Sequence, residues 1–89
     1  MLNDLLRDVQ TQYLAGRISL DTLVQRCEAL LGQSESVLSP ETYQHAMNCI
    51  YLLEDINAVV LDESRSVSER ERLSVESELQ KLCLIATGN

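Results

Sequence analysis

The sequence has no tryptophan, no phenylalanine and a single proline, and only three glycines and three tyrosines. Each scarcity excludes something. Without large aromatic rings the core must be built from Leu, Val and Ile. Three isolated glycines cannot make a glycine-rich phosphate loop. One histidine, His45, rules out the zinc patterns that need two, and no pair of cysteines has metal-ligand spacing. No apolar run approaches the length of a membrane span, and the opening MLNDLLRDVQ lacks the basic start and apolar stretch of a signal peptide. Cys27, Cys49 and Cys83 are odd in number and far apart, which reads as three buried free thiols and a reducing, cytoplasmic setting.

What is plentiful is acid. The 89 residues carry a net charge of −7. Between Arg26 and Arg65 there is no Lys or Arg, and this gap holds Glu28, Glu35, Glu41, Glu54, Asp55, Asp62 and Glu63. Outside it, seven acids balance seven bases, so the whole excess belongs to one continuous stretch. Such a balance argues against nucleic acid or an anionic membrane as a direct partner and for a basic protein. Apolar residues at 45% are enough for a packed core.

The apolar spacing is helical throughout. Leu2, Leu5, Leu6, Val9 and Tyr13 make one face of a first helix, with Asn3 as its expected cap and Gly16 as its stop. Ser19 caps a second helix, with Ile18 and Leu23 at hydrophobic-staple spacing and Gly32 as the expected end. Its stripe is Leu20, Leu23, Val24, Cys27, Leu30 and Leu31. So short a link between the two makes them an antiparallel hairpin.

Leu38-Ser39-Pro40-Glu41 is the strongest local signal: a staple residue, a cap, a proline at the first helical position and an acid facing the helix dipole. The third helix can run to Leu61, about 33 Å. Apolar positions nearly encircle it, including Leu52 and Val59, which predicts neighbours on most sides. One polar seam remains, spaced 4, 3, 4 and 7: Gln44, Asn48, Tyr51, Asp55 and Asp62, with Glu54 beside it.

Ser66–Glu69 and Ser68–Glu71 both match a capping box, leaving two possible starts for a fourth helix. Val75, Leu79, Leu82 and Ala86 form its stripe; Arg72 falls on that stripe and could reach an acid of the third helix. Thr87-Gly88-Asn89 reads as a frayed end. With no strand-like alternation and no repeat, residues 1–89 form a single all-α domain, a four-helix antiparallel bundle with helices near 4–15, 20–31, 40–61 and 67–86.

Catalysis finds little support in this sequence. His45 has no nucleophile beside it in sequence, and Glu54 and Asp55, adjacent on a helix, diverge by about 100° instead of facing one another. No catalytic residue, cofactor, metal or small-molecule substrate is expected. A carrier-protein reading suits the size and charge but needs Asp-Ser-Leu at a helix start, and Ile18 stands where the Asp should be. Binding remains. Asp62 and Glu63 sit at the negative end of a long helix, where carboxylates are unfavourable by roughly 0.3–1 kcal/mol each. Either Arg65, Arg70 or Arg72 folds back to neutralise them, or they await cations on another molecule.

Four stretches, Tyr13-Leu14-Ala15-Gly16-Arg17-Ile18-Ser19, Arg26-Cys27, Leu38-Ser39-Pro40 and Leu53-Glu54, resemble the immunity proteins of the colicin D type, including relatives acting in contact-dependent growth inhibition. The resemblance spans most of the chain and rests on helix-boundary patterns. It implies a four-helix bundle that binds a cognate basic toxin nuclease, one that cuts tRNA, and covers its active site with carboxylates. By position Glu54 is the leading contact, followed by Asp55, Asp62 and Glu63, with Gln44, Asn48 and Tyr51 along the same edge. The chain departs from the family pattern at Val59-Val60-Leu61, where relatives are acidic, which implies a shifted site and a different toxin. The alternative is a small acidic regulatory or adaptor bundle for a basic protein that is not a toxin.

Overall fold

A computed structural model describes residues 2–87, apart from the side chain of Thr87. Four helices follow one another: α1 (Leu2–Leu14), α2 (Leu20–Ser34), α3 (Pro40–Asp62) and α4 (Glu69–Thr87). Each packs against its neighbour in sequence, and α4 closes the ring on α1. The diagonal pairs do not approach within 8 Å between Cα atoms among the described residues. This is the four-helix bundle expected from the periodicity. The 23 residues of α3, about 34 Å at 1.5 Å per residue, span almost the full 37 Å long axis.

The helix boundaries are set by the residues that satisfy their orphan amides. Ser39 has extended backbone (φ −65°, ψ 153°) and its side chain accepts from the Thr42 amide at 3.1 Å. Ser19 does the same for Thr22 at 3.2 Å. Replacing Ser39 with Ala is expected to cost about 1 kcal/mol, read as a shift in the urea midpoint with unchanged slope. Of the two candidate starts for α4, Ser68 is the cap. Its hydroxyl accepts from the Glu71 amide at 3.2 Å, and the Glu71 carboxylate accepts from the Ser68 amide at 3.0 Å. The exit of α3 uses a non-glycine residue in the left-handed region, Ser64 at φ 51°. Its amide donates to the Leu61 carbonyl at 3.1 Å and the Arg65 amide to the Val60 carbonyl at 3.2 Å, which closes the helix end as a Schellman motif.

Several expectations are corrected. Gly16 does stop α1, at φ 76°, but α2 runs through Gly32 to Ser34 because a glycine inside a helix weakens it without ending it. Asn3 lies within α1 and is not its cap. Thr87 belongs to α4, while Gly88 and Asn89 of the expected frayed end lie outside the described residues. Leu5, placed on the inner stripe of α1, is half exposed.

The core consists of Leu6 and Val9 from α1, Leu20, Leu23, Val24, Cys27 and Leu31 from α2, Leu38 from the α2–α3 connection, Ala46, Cys49, Ile50 and Leu53 from α3, and Val75, Leu79, Leu82 and Cys83 from α4. All three cysteines are buried free thiols, as the sequence implied. Burial pushes the Cys27 thiol up to about 12, so it behaves as a small apolar side chain. The Cys83 thiol meets Gln10 Oε1 of α1 at 3.3 Å, tying α4 to α1.

Candidate protein-binding surface

The third helix is less enclosed than its composition suggests. In a closed ring each helix touches only two others, so one face of α3 is left outside. Leu52 and Val59, expected in the core, are 50% and 44% exposed, and Tyr51 is 48% exposed. They share this face with Gln44, Asn48, Asp55 and Asp62, all exposed. The result is a strip along most of α3 in which apolar groups alternate with acids. Gln44 Nε2 donates to Asn48 Oδ1 at 3.0 Å, which fixes one end of the strip. Asp55 and Asp62 make no ion pair among the described residues.

The seven acids and polar residues singled out in the sequence therefore separate into three groups. Gln44, Asn48, Tyr51, Asp55 and Asp62 share the outer strip. Glu63 does not belong to it: Arg65 folds back onto its carboxylate and, through a two-point contact of 2.7 and 2.8 Å, onto Glu71 of α4. Of the two alternatives left open by the sequence, the fold-back of Arg65 is the one seen at Glu63. The chain reverses at Ser64, which brings Arg65 back over the helix end. The Arg65 hydrogen bonds, helped by the Ser68 amide, hold the Glu71 carboxyl down to about 2. Arg72 does not reach α3; it pairs within α4 with Glu69 at 3.3 Å and Glu76 at 3.5 Å, and more than half of its side chain stays exposed. An arginine on the inner stripe is accommodated because its turn of α4 lies at the open end of the bundle.

Glu54 makes the third group. It is half-buried, and Glu54, followed by burial, raises the carboxyl of Glu28 on α2 from 4.5 to about 7. Glu54 and Asp55 indeed diverge, but Glu54 acts on a carboxyl of another helix. Glu28 was not singled out in the sequence. Its spacing of seven from Asp21 places it on the same edge of α2, yet which helix meets that edge becomes visible only in the packed bundle.

A second feature missed by the sequence is an open groove of about 640 Å³ at the end of the bundle, lined by Tyr13, Ile18, Val60, Leu61, Val67 and Arg72 among others. It lies where the α1–α2 and α3–α4 connections come together. Burial, then the nearby Glu76, raises the Tyr13 hydroxyl above its ordinary range, with Arg72 partly offsetting this. No helix among the described residues is long and apolar enough to cross a membrane. Comparison with models of protein families, with curated proteins and with solved structures finds no match to this chain.

Proposed function

We propose that this chain is an inhibitor of the immunity type: it binds a basic toxin nuclease, by the resemblance one that cuts tRNA, and covers its active site with the outer strip of α3. The observation that carries this reading is that strip. Exposed Tyr51, Leu52 and Val59 supply apolar contact area that a solvated helix has no use for, and Asp55 and Asp62 between them make no ion pair among the described residues. Apolar anchors with acids between them suit a partner surface built to hold phosphates, since a cleft that binds tRNA must be lined with Lys and Arg. The chain itself performs no chemistry in this role and needs no cofactor or metal.

Charge concentrated in this way speeds encounter with a basic protein, to the order of 10⁸–10⁹ M⁻¹s⁻¹ at low salt. Two measurements test the proposal. Deleting the gene while its upstream neighbour remains should be toxic to the cell. The purified chain should capture that neighbour's product, with an affinity that falls as salt is added. Harmless deletion together with no capture sinks the reading and favours an adaptor for some other basic protein.

A further inference from the structure

Exposed apolar side chains are not spread evenly over the bundle. Of the nine large hydrophobics left exposed among the described residues, five lie on the outer sides of α3 and α4: Tyr51, Leu52 and Val59 on α3, Leu73 and Leu84 on α4. On α4, Leu73, Ser77 and Leu84 are spaced four and seven apart, so they line one edge of the helix. Leu73 is 58% exposed and Leu84 62%, and Ser77 between them is exposed as well. That edge points away from the buried Val75, Leu79 and Leu82. Arg70, also exposed, stands one turn before Leu73. Because α3 and α4 are neighbours in the ring, the acidic strip of α3 and this second strip run side by side.

The two strips carry free charge of opposite sign. Asp55 and Asp62 make no ion pair among the described residues, and neither does Arg70. The other cations of α4 are taken up within it, Arg72 by Glu69 at 3.3 Å and Glu76 at 3.5 Å, Lys81 by Glu78 at 3.0 Å. Arg70 stands in the first turn of α4 and Asp62 ends α3. The connection between them is short, and Arg65 ties it to Glu63 and to Glu71. Arg70 is therefore at the same end of the bundle as Asp62, with Asp55 two turns further in.

We propose that a second copy of this chain covers this face, in a two-fold dimer that lays the α3 strip of each copy on the α4 strip of the other. Two such faces can meet about a two-fold axis in two ways. An axis running across the helices sets α3 on α3 and brings Asp55 and Asp62 against their own counterparts. An axis running along the helices sets α3 on α4, keeps each residue at its own level, and brings Arg70 of each copy to the Asp62 end of the other. Charge selects the second arrangement, since like charges placed against one another oppose association. One turn in from the Arg70–Asp62 level, Leu73 of one copy then meets Val59 of the other. The bundle is 37 Å long, 22 Å wide and 19 Å deep, so one face is of the size that a standard interface takes from each partner, about 800 Å². The dimer covers the acidic strip, so a basic partner of the kind proposed above would bind the single chain; this clause alone rests on that reading.

The test is sedimentation equilibrium of the purified full-length chain alone, from micromolar to millimolar concentration. The average mass should climb from that of one chain to that of two. Leu73→Glu and Leu84→Glu should each hold it at one chain; both positions are exposed, and unchanged helicity by circular dichroism checks that the fold is kept. Arg70→Glu should raise the dissociation constant roughly tenfold or more, because a two-fold interface meets each substitution twice. Adding Asp62→Arg to Arg70→Glu should recover most of that loss. A single-chain mass at every concentration, a two-chain mass that survives both leucine substitutions, an Arg70→Glu dimer as tight as the wild type, or growth beyond two chains would each overturn the proposal. No basic partner is present in this experiment, so its result is independent of whether the inhibitor role holds.

Discussion

Alanine at Leu53 is expected to lower stability by about 2–5 kcal/mol, while alanine at the adjacent Leu52 stays within about 0.5 kcal/mol of wild type. The two leucines have the same chemistry and opposite surroundings. Leu53 is fully buried in the middle of α3, and Leu52 is half exposed on the outer strip. Removing Leu53 takes away the transfer free energy of its side chain and leaves a cavity that the neighbouring helices fill only in part. A domain of this size has a total stability of roughly 5–15 kcal/mol, so the first substitution consumes a large share of it and the second does not. Urea midpoints of the two variants measure the difference directly. Equal losses at both positions would mean that α3 is rotated about its axis, and the binding strip with it.

Charge reversal on the strip should act on binding and leave folding intact. With Asp55→Lys or Asp62→Lys, affinity for the basic partner should fall by about 2–5 kcal/mol for each carboxylate that pairs in the desolvated contact, or roughly 30- to several-thousand-fold. Glu63→Gln is the internal comparison. Arg65 already holds that carboxylate, so its loss should be felt much less by the partner. Titration calorimetry at a fixed, stated salt concentration separates the two classes. Wild-type affinity in both Asp55→Lys and Asp62→Lys would remove the strip from the interface. A larger loss in Glu63→Gln than in either would move the contact to the α3–α4 turn.

Much of the fold was legible because it is written in local signals. Ser19 announces a helix start through the staple Ile18–Leu23, Ser39 through Leu38, Pro40 and Glu41 around it, and Ser68 is one of two starts offered by capping-box glutamates; the stripe Leu20, Leu23, Val24, Cys27, Leu30 and Leu31 is buried but for the half-buried Leu30. The exposure of Leu52 and Val59 was not legible. Composition makes α3 apolar nearly all round, and only the ring arrangement, with no fourth element across its outer side, decides which apolar residues are left over. The same holds for the site. The spacing of Gln44, Asn48, Tyr51, Asp55 and Asp62 was enough to align them. Whether Glu63 meets an arginine depends on how the chain reverses at Ser64, and whether Glu54 acts on Glu28 depends on the packing of α3 on α2. Both are properties of the assembled bundle that no short stretch encodes.

The order in which the helices meet has a bearing on speed. Successive helices are joined by short connections and pack on one another directly, and only the closure of α4 on α1 brings together distant parts of the chain. Topologies of this kind reach their native state in about microseconds to milliseconds. A newly made copy would be folded almost as soon as it left the ribosome, without waiting on long-range strand pairing, which would suit the inhibitor role proposed above.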